Sequence, residues 1–250
     1  MVSHTVRRWS WGLAISTVTA VAAFGVASWH ANAAPSSPGS TPGATSGAAA
    51  EQPRVSNPSP VPEAAAGTGS DPLTTDEVGK ARATALTPEL AAKAKDVTGA
   101  AGPEYLSAEI AAPESGRRAE LYYYDYATDK LVKQVVDVGT GKLIGSYSAA
   151  GLQPPASRRE IEAARDLVLA GPFAKDLRDR FAQATGRALA GKDDLVVTAH
   201  VYRARPADTG AQECGWHRCL QLIVQAVGGP FIDANDIIID LSGRTVARLK

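Results

Sequence analysis

Twice along this chain a hydroxyl residue followed three places later by glutamate opens a helical pattern, and each time that pattern gives way to strand-forming runs. This repeated order constrains the fold more than any other feature. Thr74-Thr75-Asp76-Glu77 is the first capping box, in which each of the two side chains satisfies a backbone N–H that the helix leaves unpaired; a helix follows through Val78, Arg82 and Leu86. Thr87-Pro88 restarts it with Thr as cap and Pro at the first helical position, and the spacing predicts helix over 90–97. Residues 105–111, 119–126 and 131–138 then read as strands, and Gly139-Thr140-Gly141-Lys142 turns the chain into a fourth over 143–147. Ser157-Arg158-Arg159-Glu160 is the second capping box, followed at helical spacing by Ile161, Ala164, Leu167 and Val168 up to Gly171-Pro172, and then by Phe173, Leu177, Phe181 and Ala184. Strands are expected again over 195–202, 220–227, 237–241 and 245–249. The expected fold class is therefore α+β: two tandem units, 71–152 and 153–250, each with helix packed on an antiparallel meander sheet. Each is long enough for its own core.

The first 70 residues read differently. Arg7 and Arg8 precede an apolar stretch that ends at Ala31-Asn32-Ala33, with Ala31 and Ala33 forming a small-x-small cleavage site. This is the pattern of an export signal over 1–33, and it implies a secreted or extracytoplasmic protein. The Arg pair fits a twin-arginine signal, but Trp9-Ser10-Trp11 replaces the usual Phe-Leu continuation, so the export route stays open. Uncleaved, the stretch would be the one membrane attachment expected. Residues 34–70 carry seven of the 16 prolines among Ala, Ser, Thr and Gly without one aromatic, too little apolar surface to offset chain entropy, and are expected to be a disordered linker.

Charge excludes one class of partner. The 26 Lys and Arg balance 26 Asp and Glu, and no basic run offers a footprint for nucleic acid. No Gly-x-Ser-x-Gly elbow, phosphate loop, dinucleotide fingerprint or His-Glu-x-x-His pair is present.

Several segments resemble the N-terminal N2 and N3 domains of copper amine oxidases, small cystatin-like α+β modules. They are Asp71-Pro72-Leu73-Thr74, the hairpin pair Tyr124-Asp125-Tyr126-Ala127-Thr128-Asp129-Lys130 and Val135-Val136-Asp137-Val138-Gly139-Thr140-Gly141-Lys142, and the connector Gly151-Leu152-Gln153-Pro154-Pro155. The hairpin by itself also resembles PepSY-type domains. The resemblance implies shared ancestry of accessory domains and not amine oxidation. The family's quinone comes from a Tyr in Asn-Tyr-Asp/Glu and its copper from three His, whereas Tyr124 here follows Tyr123, and removal of 1–33 leaves only His200 and His217. No catalytic residue and no cofactor are expected.

The densest constellation is Cys214-Gly215-Trp216-His217-Arg218-Cys219. In an exported chain Cys214 and Cys219 are expected to form a disulfide. Reduced, Cys214, His217 and Cys219 would instead be a candidate copper or zinc site. Trp216, the sole Trp beyond the signal segment, reads either as a binding anchor or as a lid on the second core. Tyr122, Tyr123, Tyr124 and Tyr126 alternate along a strand, so one side should face the core and the other solvent. His200 lies mid-strand without an acidic neighbour. The runs 157–160 and 175–180 alternate in charge as solvated helix faces do. The expected function is non-catalytic binding of an unidentified extracytoplasmic protein; the alternatives are extracytoplasmic copper or zinc binding and PepSY-like inhibition of a protease.

Overall fold

The computed structural model describes residues 66–111 and 116–249. The expected signal segment, with Arg7, Arg8, Ala31 and Ala33, and the expected linker up to residue 65 lie outside the described residues. Among the described residues no helix is long and apolar enough to cross a membrane.

The fold is α+β, with small helices and two antiparallel sheets. Helix α1 (Thr75–Ala85) and the short α2 (Pro88–Lys93) precede β1 (Glu104–Ile110), β2 (Arg118–Asp125), β3 (Lys130–Asp137) and β4 (Lys142–Ala150), a meander in the order β1-β2-β3-β4. Helices α3 (Arg158–Ala170) and α4 (Ala174–Thr185) precede β5 (Leu195–Tyr202), β6 (Cys219–Ala226), β7 (Phe231–Ile232), β8 (Ile237–Asp240) and β9 (Thr245–Arg248). The second sheet runs β5-β6-β8-β9, and β7 pairs with β6. Strand β7, two residues long, is too short to leave a periodic trace in the sequence.

Both capping boxes form, at Thr74 with Glu77 and at Ser157 with Glu160. The buried positions of α1 are Glu77, Ala81 and Ala85, and those of α3 are Glu160, Ala164 and Val168, the same four-residue step along one face. Small residues on α1 let it lie close to Ala119, Leu121, Tyr123, Val132 and Val136 of its sheet. The second core is larger, with Val168, Leu177 and Phe181 against Leu220, Leu222, Val224, Ile237 and Ile239.

Helix α2 stops at Lys93 and does not reach residue 97. Asp96 ends it: its Oδ1 accepts from the backbone N–H groups of Thr98 (2.8 Å) and Ala100 (3.0 Å) and from the Thr98 hydroxyl (2.7 Å), a local turn that competes with helix. The turn sends Val97 into the second core, and Tyr126 packs against that same core from the end of β2. Ser157 Oγ donates to Glu104 (2.9 Å), Arg159 to Asp96 (2.8 Å) and Arg244 to the Val97 carbonyl (3.1 Å), so polar bonds also tie the two halves together.

The repeat includes a pairing that the sequence reading overlooks. Each capping glutamate is gripped by an arginine at the start of the second strand of its sheet. Arg117, just before β2, donates Nε and Nη2 to the two oxygens of Glu77, both at 2.7 Å. Its remaining donors meet the carbonyls of Gly69 (3.1 Å), Asp71 (2.8 Å) and Pro72 (2.9 Å), so 66–70, expected as the end of the linker, is partly held against α1. Arg218, just before β6, donates Nε and Nη2 to Glu160, Nη1 to Gln153 Oε1 (3.2 Å) and the Pro154 carbonyl (3.0 Å), and Nη2 also to the Pro155 carbonyl (3.1 Å). In each case all five guanidinium donors are used, and the backbone leading into the helix is pinned to the sheet.

Two expectations about polarity change as a result. Glu160 does not sit on a solvated face: its side chain and that of Arg218 are both 0% exposed. Arg180 is likewise drawn out of the 175–180 run, binding Asp236 through two bonds of 2.6 and 2.8 Å, while Lys175 and Asp179 remain a surface pair. On β2, Tyr123 faces α1 as alternation requires, but Tyr124 on the opposite side is fully buried. The Arg218 guanidinium lies over its ring at 5.1 Å, so the second half of the chain covers the face that alternation alone assigns to solvent.

Candidate functional site

In the first sheet β1 and β2 are joined by residues 111–117, whereas in the second β5 and β6 are joined by 203–218. The longer connection folds back on the outer face of the sheet, where Ala211, Cys214, Cys219, Tyr202 and Ile238 form a third, small core. Its first half is organised by Asp208, which accepts from the Tyr202 hydroxyl and from the Arg205 backbone N–H at 2.7 Å. The Tyr202 bond, then the Arg205 backbone bond, hold the Asp208 carboxyl below the usual range. Ala204 N–H donates to the Cys214 carbonyl (2.9 Å) and Cys214 N–H to the Ala211 carbonyl (3.0 Å), closing the loop base.

The second half is the Cys-bounded hexapeptide. Cys214 and Cys219 form the expected disulfide, with Cα atoms 5.4 Å apart, and both are buried. The Trp216 and His217 N–H groups donate to the Glu213 carbonyl at 3.1 and 2.8 Å, and Gly215 takes φ +120°, a conformation a Cβ would strain. His217 Nδ1 lies 2.8 Å from Asp240 Oδ2, and this bond raises the pKa of the imidazole. The Gln153 amide donates to the His217 carbonyl (3.3 Å) and the Arg218 N–H to Ser242 Oγ (3.0 Å).

Trp216 is left outside all of this. The residue is 72% exposed, which overturns the reading of it as a lid on the second core. Beside it runs a groove of about 550 Å³ lined by Gly151, Arg203, Arg205, Pro206 and Gln212. Arg203 is tied to the Gly151 carbonyl at 2.7 Å, joining the groove wall to the end of β4. The arrangement is an aromatic side chain held out from a rigid loop between basic neighbours.

With the two sulfurs bonded to each other, Cys214, His217 and Cys219 do not present a thiolate ligand set. Among the described residues no three His, Cys, Asp or Glu side chains converge in a way that would hold a metal ion. His200 is exposed on β5 and bonds to Gln221 at 2.6 Å.

No family model matches the chain, and no curated protein matches it in sequence. Among solved structures it is similar to a copper-containing benzylamine oxidase from Hansenula polymorpha, with a TM-score of 0.41 and 13% identity. That match covers 72% of this chain and 29% of the oxidase, so the chain spans under a third of that enzyme. At this distance the likeness carries no conclusion about activity.

Proposed function

We propose that this is an exported, non-catalytic protein that acts by binding another extracytoplasmic protein through the Trp216 loop. The observation that carries the reading is Trp216 itself, a large aromatic exposed on a loop held by a disulfide, two backbone bonds and the His217–Asp240 contact. A rigid anchor loses little conformational entropy when it docks, which is why Trp and Arg dominate the energetics of interfaces. Arg203, tied to the Gly151 carbonyl, and Arg205, paired with Asp208 at 3.2 Å, line the groove beside the indole. The disulfide and the signal-like first 33 residues both support an oxidising compartment.

The test is a photo-cross-linking amino acid placed at Glu213, exposed in the same loop as Trp216, of the exported protein, with Val196 on β5 as the exposed control. The expected result is an adduct with one extracytoplasmic protein from position 213 alone, competed away by unlabelled mature protein and lost when Trp216→Ala is added. Equal labelling from position 196, no adduct, or an adduct that survives Trp216→Ala overturns the proposal. Amine-dependent peroxide production by the purified protein overturns its non-catalytic part.

A further inference from the structure

One edge of the first sheet is β4, at nine residues the longest strand among those described. The β2–β3 ladder runs on into Val138, whose N–H donates to the Arg117 carbonyl at 3.0 Å. By alternation, Val136, Gln134, Val132 and Lys130 address their backbone groups to β2, whereas Val135, Lys133 and Leu131 address theirs to β4, where they meet Gly145, Tyr147 and Ala149. The N–H and C=O groups of Ser146, Ser148 and Ala150 therefore point off the sheet. Among the described residues nothing donates to them or accepts from them.

Open edges are normally guarded by charge, proline, a bulge or a covering element. The other sheet edges carry charged or titratable side chains: β1 has Glu104 and Glu109, β5 has His200, and β9 is four residues long and ends in Arg248. Strand β4 has neither charge nor proline after Lys142, and beyond the one slip in register at Ile144 its pairing with β3 is regular from Gly145 to Ala150. Only an extended strand satisfies a row of backbone groups at this spacing. The composition of β4 selects which strand: with no charge to attract a partner of opposite sign, it meets a second β4 without opposing like charges. Centred on Tyr147, such a pairing would oppose two rings that each have Lys133 Nζ 5.5 Å from the centroid. Centred on Ser148, it sets Tyr147 against the small Ala149, brings exposed Ile144 toward exposed Leu152 and bonds all three outward residues.

We propose that two copies of the chain pair antiparallel through β4 about a two-fold axis at Ser148, joining their first sheets into one continuous sheet by about six backbone hydrogen bonds. The test is sedimentation equilibrium of the mature protein over a range of concentrations, beside chemical cross-linking. A reversible dimer is expected. Ser148→Pro removes an N–H that serves no bond within the chain, so the β3–β4 ladder is kept, and the two hydrogen bonds lost per dimer weaken association about thirtyfold. Ser148→Ala, which keeps the N–H, dimerises like the wild type. Ser148→Cys, at the axis, is joined to its copy by a short bismaleimide, whereas His200→Cys on β5 is not. A monomer at every concentration, a dimer as strong in Ser148→Pro as in the wild type, no linking from position 148, or equal linking from position 200 overturns the proposal.

Discussion

Replacing Arg218 by Met removes five hydrogen bonds at once and leaves the Glu160 carboxylate sealed from water. Glu160 then keeps only the Tyr126 hydroxyl (2.6 Å) and the Ser157 N–H (2.7 Å), and the Pro154 and Pro155 carbonyls lose their donor. Removing one partner from a buried ion pair costs about 3–5 kcal/mol. For a folded region of this size that is a fall of roughly 6–20 °C in the thermal midpoint. Arg117→Met removes a guanidinium with the same bonding pattern from a more exposed pair, side chains 13% and 4% accessible, and is expected to cost about 1.5–3 kcal/mol. The assay is urea denaturation of the mature protein followed by circular dichroism, with Glu160→Gln and the double variant completing a cycle. Coupling between Arg218 and Glu160 is expected at roughly 1–3 kcal/mol, because the double variant carries no buried charge. A loss below about 1 kcal/mol for Arg218→Met, or one no larger than for Arg117→Met, refutes the reasoning.

Acid should expose the other pair. Arg117 chiefly, helped by the Thr74 and Gly67 backbone bonds, holds the Glu77 carboxyl at about 2 against 4.5 unperturbed, so its contribution to stability is complete above pH 4.5 and disappears as pH falls toward 2. Acid titration of stability should therefore be shallower in Glu77→Gln than in the wild type across that window, and equal slopes would show the pair to be without effect. His217 works in the opposite sense: Asp240 raises its pKa above 6.5, so its contribution is present below pH 6.5 and is lost as pH rises through the shifted value. An NMR titration of the ring should show the raised midpoint, returned to the usual value by Asp240→Asn. Converting Cys214 and Cys219 together to Ser should cost about 2 kcal/mol for so short a loop and increase the mobility of Trp216, read as lower fluorescence anisotropy. Unchanged anisotropy would show that the disulfide does not hold the indole in place.

Local signals in the sequence were strong wherever one element sufficed to make them. The capping boxes at Thr74 and Ser157, the four-strand meander and the disulfide between Cys214 and Cys219 all follow from residues near one another in the chain. What stayed hidden depends on contact between halves. Tyr124 looks half-exposed by alternation and becomes fully buried because Arg218, 94 positions later, stacks on it. Val97 looks like the end of a helix because its apolarity fits that spacing, yet the Asp96 turn delivers it to a core built from the other half. Helical charge alternation predicts a wet Glu160 because the pattern carries no record of a guanidinium arriving from 58 residues away.

The Arg117 and Arg218 pairs nevertheless left a trace that the repeated order could have exposed. In each half a proline-containing approach, Asp71-Pro72 or Pro154-Pro155, precedes a capping box, and an arginine stands immediately before the second strand of the sheet that follows. Proline has no N–H, so its carbonyl is the polar group that such a segment offers to a donor, and arginine alone carries enough donors to serve that backbone and the capping carboxylate together. The two halves differ chiefly in what is inserted ahead of that arginine. A short connection precedes Arg117, and a 16-residue connection, with its own small core and disulfide, ends at Arg218. The buried end of that connection anchors the junction and the exposed end presents Trp216, so a load on the indole is resisted by the same hexapeptide that joins the two sheets. That coupling predicts that Arg218→Met, although its side chain lies inside the protein and makes no surface contact, weakens cross-linking from position 213 beside the indole as well as stability.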